Sequence, residues 1–112
     1  MQTATPAGPD DGRSLTRRYR FIDWIAARPF VDRIVLYGSR ARGDHHERSD
    51  IDLAIECPRA TPAEWFELLE LVDEHADTLL AVDLVRLDDL AADDDLRRAI
   101  EKDGLELYRR TA

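Results

Sequence analysis

The residues best able to do chemistry lie between positions 38 and 52. Gly38-Ser39-Arg40-Ala41-Arg42-Gly43 is followed, after a polar stretch, by Asp50-Ile51-Asp52. Gly38 directly follows the apolar run Ile34-Val35-Leu36-Tyr37. A glycine there lets the chain turn sharply and come close to a ligand. If Ser39 opens a short helix, its hydroxyl and the first N–H groups of that helix form an anion site suited to phosphate. Arg40 and Arg42 add positive charge and bidentate donors, although Arg42 could instead pair with an aspartate. Asp50 and Asp52 are two apart, so in a strand they share one face, about 6.6 Å apart along the backbone. Carboxylates so placed repel each other unless they hold cations. Magnesium suits them, because it takes one or two carboxylates and completes its shell with water and phosphate oxygens. An ordinary strand with an acidic outer face explains Asp-x-Asp alone. It does not explain Gly-Ser and Asp-x-Asp at set spacing: with each residue near about 6% of the chain, chance produces that on the order of once in a thousand such sequences. Asp83, within Val82-Asp83-Leu84-Val85, either faces solvent at a sheet edge or joins the other two acids around a metal, since an unpaired buried carboxylate is costly.

These residues need elements to position them. Leu15, Tyr19, Ile22 and Ala26 recur at helical spacing after Ser14, a cap residue, and Pro29 ends the run. Residues 34–37 suit a strand buried on both faces. Asp50 to Ile55 alternates polar and apolar, the period of a half-buried strand with Ile51, Leu53 and Ile55 inward. Thr61-Pro62-Ala63-Glu64 is a helix start with a capping box, and Trp65, Leu68, Leu69, Val72, Ala76 and Leu79 form its apolar stripe. Residues 82–85 read as a third strand, and a helix around Leu96 and Ile100 ends near Gly104. Leu105, Leu107 and Tyr108 form an apolar end whose type the pattern leaves open. The order predicts a small α/β (α+β) domain, a mixed sheet flanked by helices, over residues 13–112, with residues 1–12 as a disordered tail.

Composition narrows the function. With 112 residues there is room for one domain and not for a second that holds a substrate. The net charge of −8 disfavours nucleic acid as a partner. Charge is uneven, however: residues 13–48 hold nine arginines against four acids, and residues 61–103 hold fourteen acids against four bases. One end of the fold could therefore attract a polyanion while another repels it, and the acidic helix faces could equally serve solubility alone. Cys57 is the only cysteine, so there is no internal disulfide, and it is expected to pack rather than react. His45 and His46 sit in a polar loop and His75 among helix acids, all three read as surface residues; Trp24, Trp65 and Phe66 are read as core. No apolar run nears the ~18 residues of a membrane span and no signal peptide is evident, so the expectation is a soluble cytoplasmic protein without membrane contact.

The pattern resembles the DNA-polymerase-beta-like nucleotidyltransferase superfamily. More narrowly it is similar to the minimal nucleotidyltransferases, the MntA-like antitoxins encoded beside HEPN-domain toxins. Gly38, Ser39, Arg40, Arg42, Gly43, Asp50, Asp52 and Asp83 carry the likeness, with the ending Ile100 to Tyr108. The resemblance implies that Gly38, Ser39, Arg40 and Arg42 bind the nucleotide, Ser39 at the terminal phosphates. It implies that Asp50, Asp52 and Asp83 are catalytic and hold two Mg²⁺ ions, with Asp83 helping to deprotonate the attacking hydroxyl. It further implies transfer of AMP from ATP to a tyrosine of a HEPN toxin, within a hetero-oligomer. Two alternatives remain open: an antitoxin that silences its partner by binding alone, and a small-molecule nucleotidyltransferase completed by a partner subunit.

Overall fold

The computed structural model describes residues 19–44, 49–76, 78 and 80–111. Helix α1 spans Arg20–Ala26, strand β1 Arg33–Tyr37, helix α2 Ser39–Arg42 and strand β2 Ile51–Glu56. Helix α3 spans Pro62–His75, strand β3 Val82–Arg86, a 3₁₀ turn Leu87–Asp89, helix α4 Asp95–Asp103 and strand β4 Leu105–Arg109. The strands form one sheet in the order β3-β2-β1-β4. β1 runs antiparallel to both β2 and β4, and β3 runs parallel to β2. The sheet is mixed and the fold is α+β, as expected.

The apolar end left open by the sequence pattern is β4, which closes the sheet against β1. A register irregularity between Ile34 and Val35 accompanies this pairing. The expected helix start at Ser14 and the expected tail over residues 1–12 lie outside the described residues. Within α1 the inward residues are Phe21, Ile22 and Ile25.

Each helix has a local cause. Thr61 Oγ1 accepts from the Glu64 amide and the Glu64 carboxylate accepts from the Thr61 amide, with Pro62 in the first turn. Such a cap is worth about 1 kcal/mol. Asp94 caps α4 by accepting from the Leu96 amide. Gly104 follows α4 because the chain there passes too close for a side chain: a Cβ would lie 2.3 Å from the Ile100 carbonyl oxygen and 2.5 Å from Val35.

Two cores form, one on each side of the sheet. Ile34, Leu36, Ile51, Leu53 and Ile55 pack under α1 and α3, against Ile22, Ile25, Leu68 and Val72. Val35 and Ala54 face the other way and are covered by Leu87 and Ile100. This corrects the reading of β2 as half exposed: Ala54 is fully buried, because the 3₁₀ turn and α4 cover the second face. Arg97 holds that cover in place by donating to the carbonyls of Leu87 and Leu90. Phe66 is also corrected. It is 63% exposed, on the outward side of α3, whereas Trp24 and Trp65 pack against the first core.

Candidate active site

The second face of the sheet is covered at one end only. Along β1, β2 and β3 the same side carries Val35 and Tyr37, then Asp52 and Ala54, then Asp83 and Val85, since alternate residues share a face. Val35 and Ala54 lie beneath the cover. Tyr37, Asp52 and Asp83 lie at the other end and are partly buried, partly buried and exposed, respectively. Register places them in a row: Tyr37 pairs with Asp52, and Asp52 pairs with Asp83. Two carboxylates thus stand abreast on adjacent strands, an arrangement that repels.

The repulsion is visible in the protonation of Asp52. Its pKa is raised, first by burial, then by the negative charge of Asp83, then by that of Asp50. Asp50 itself lies just before β2 rather than within it and is exposed. Beside them the Tyr37 phenol is pushed up to about 12, by burial and then by the charges of Asp52 and Asp83. It therefore keeps its proton at neutral pH and can donate a hydrogen bond.

The bend after β1 closes on this row. Gly38 has φ +76°, a left-handed conformation that favours glycine. A Cβ at Gly38 would lie 2.6 Å from Oδ2 of Asp52. Only a bare backbone fits there, so the turn and the carboxylate are held in contact. Ser39 then opens α2, as expected, and the first intrahelical bonds run from the amides of Ala41 and Arg42 to the Gly38 carbonyl. Gly43, with φ +84°, ends that helix.

Arg40 is 2% exposed, and its Nε and Nη2 both donate to the Ser49 carbonyl. Its guanidinium thereby clamps the chain that leads into Asp50. Arg42 is exposed and donates through Nε to Asp44, the aspartate pairing allowed for it above. Among the described arginines of the same stretch, Arg28 stacks over Trp24 and Arg33 pairs with Glu56. His45 and His46 lie outside the described residues. Cys57 is buried, with its thiol pushed up to about 11 by that burial, and His75 is exposed.

Asp50, Asp52 and Asp83 offer hard oxygen donors. Among the described residues no three His, Cys, Asp or Glu side chains gather closely enough to hold a metal ion, so the three aspartates do not converge as a ready-made site. Magnesium does not require one, because substrate phosphates and water fill most of its shell. The hollows lie elsewhere: about 430 Å³ between α1 and α3, and about 660 Å³ beside β3. Asp83 borders the second, and Asp52 and Gly38 border neither. Sequence reasoning missed Tyr37 as part of the carboxylate row; its place beside Gly38 was a signal, but only pairing with Asp52 brings its phenol to the acids.

A family model for polymerase beta nucleotidyltransferases matches residues 21–112. No curated protein matches the chain. Among solved structures, a toxin–antitoxin with AMP-PNP is similar at a TM-score of 0.61 and 25% identity, over 82% of this chain and 73% of that one. A mutant of the MntA-HpeT toxin–antitoxin is similar at a TM-score of 0.59 and 25% identity, over 82% of this chain and 72% of that one. A candidate nucleotidyltransferase from Sulfolobus solfataricus shares the fold at a TM-score of 0.56 and 18% identity, over 95% and 94% of the two chains.

Proposed function

The chain belongs to the polymerase beta nucleotidyltransferase family, and from that premise we propose that it is an antitoxin that moves AMP from ATP to a tyrosine hydroxyl of a HEPN-domain toxin. The observation that carries the reading is the row Tyr37–Asp52–Asp83, closed on one side by the Gly38 bend. The similarity to a toxin–antitoxin with AMP-PNP supports both a nucleoside triphosphate and a toxin partner.

Asp50, Asp52 and Asp83 would hold two Mg²⁺ ions. Such ions lower the pKa of the attacking hydroxyl and neutralise charge on the entering and leaving oxygens. The protein's own residues do the positioning. Gly38 and Ser39 receive the terminal phosphates at the bend. Arg40 fixes the segment that carries Asp50. Asp83, at the sheet edge and exposed, is the carboxylate best placed to accept the acceptor's proton.

The test is mass analysis of the toxin after incubation with ATP and Mg²⁺. Wild type adds adenylyl groups, and Asp52→Asn lowers the rate by about 100–1,000-fold, the range for losing one preorganised electrostatic group. Transfer at the wild-type rate by Asp52→Asn would overturn the reading. Neutralisation of the toxin by that variant would instead favour silencing by binding alone.

A further inference from the structure

Strand β3 is an edge of the sheet: β2 lies on one side, and among the described residues no strand lies on the other. Successive residues of a strand point to opposite faces. Yet Val82, Asp83 and Leu84 all border the same 660 Å³ hollow. The hollow therefore follows the backbone rim of β3 rather than one face. Its other wall comes from α3, with Leu69 and Val72 as apolar surface and Glu70 and Asp73 as charge. Among the described residues, acids line it and no arginine or lysine does. An unpaired rim, an apolar floor and a negative wall, all beside Asp83, describe a seat for one kind of occupant.

We propose that the acceptor segment of the partner docks here as an extended strand added to β3, carrying apolar and basic residues on either side of the hydroxyl that is modified. This rests on the transfer reading above and specifies how the acceptor is recognised. Main-chain pairing supplies affinity in this mode, and alternate side chains supply selectivity. An added strand lies about 4.8 Å from β3. Its residue abreast of Asp83 projects on the face that Asp52 and Asp83 share. The residues on either side of it project into the hollow, beside Val82 and Leu84 and opposite Glu70 and Asp73. A tyrosine in the central position thus meets the carboxylate row while its neighbours fill the seat. In the transfer its phenolic oxygen bonds to the α-phosphorus of ATP. The bond from that phosphorus to the bridging oxygen breaks, pyrophosphate leaves with the electron pair, and the phenolic proton passes to Asp83.

The probe is a blocked synthetic heptapeptide, Lys-Thr-Leu-Tyr-Lys-Thr-Val, used with the full chain. Two further versions carry N-methyl groups on either of the two alternate sets of backbone nitrogens. Amide hydrogen exchange without ATP reads docking, and mass analysis with ATP and Mg²⁺ reads transfer. The unmodified peptide is expected to slow exchange across residues 82–86 and not across β4. One methylated version should lose that protection and the other keep it. Glu70→Arg combined with Asp73→Arg should weaken binding by about tenfold. No protection of residues 82–86, or equal binding by both methylated peptides, overturns the docking proposal. Protection without adenylyl transfer fails the transfer reading alone, and transfer without protection fails the docking alone.

Discussion

At the scale of single residues the site is a conflict of charge held in place by the fold. Asp52 has its pKa raised by burial and by two neighbouring acids. A carboxyl whose pKa is higher folded than unfolded favours the fold while protonated, and that stabilisation is lost as pH rises through the folded value. At neutral pH the charge is a cost. Asp52→Asn should therefore make the nucleotide-free protein more stable, by about 0.2–1 kcal/mol, the scale of a cross-strand pair. Denaturant titration checks this, and the gain should vanish in acid below the unfolded range. Tyr37 has the same sign at the other end of the scale. Its phenol titrates at about 12 rather than 10.0, so the unfolded chain loses that proton first and stability falls as pH rises between the two. In Tyr37→Phe the fall over that window should be shallower, as thermal melts across alkaline pH would show. Asp52 thus gives up stability at neutral pH, whereas Tyr37 does so only in alkali.

Among the elements, short α2 and long α3 behave differently. Four residues cannot stabilise a helix by themselves, so α2 depends on what surrounds it. Arg40, although named for the chemistry by its place in the motif, ties α2 to the carbonyl of Ser49. Arg40→Ala should cost about 1.5–3 kcal/mol, the worth of hydrogen bonds from a charged donor. It should also weaken ATP affinity by calorimetry, because the segment before Asp50 is released; unchanged affinity would mean the clamp does not shape the site. On α3 the contrast is between neighbours two apart. Leu68→Ala should cost about 2–5 kcal/mol because the side chain is buried. Phe66→Ser should stay within about 0.5 kcal/mol of wild type because the ring is exposed. Chemical denaturation separates the two. The apolar stripe of α3 was legible through Val72 because its spacing is helical; the helix ends at His75, so Ala76 follows it, and Leu79 lies outside the described residues. The exposure of Phe66 was not legible, because residue type states a preference for burial and the angle around the helix decides it.

At the scale of the whole molecule the sheet is a platform covered on one face by α1 and α3, and on the other only in part. On the proposed reading the nucleotide sits at the uncovered end, where Tyr37, Asp52 and Asp83 line up, and binding there should stabilise the protein by mass action. ATP with Mg²⁺ at about 100 times its dissociation constant adds roughly 2.7 kcal/mol, a rise in Tm on the order of 10 °C for a domain this size. Chelation of the metal should abolish the shift, and Asp52→Asn should reduce it. Scanning calorimetry measures both. No helix among the described residues is long and apolar enough to cross a membrane.

The sequence by itself determined the strand before Gly38, the short helix after it and the capped helix from Pro62. Each of these follows from local spacing or from a residue type that only certain backbone angles allow. Only the tertiary structure decided that Asp83 stands abreast of Asp52, that Tyr37 completes the row, that Arg40 turns inward and that Ala54 is covered. Those outcomes depend on the register between strands and on which helix reaches which face of the sheet. Both are set by contacts between residues far apart in the chain, whose joint burial no single stretch encodes.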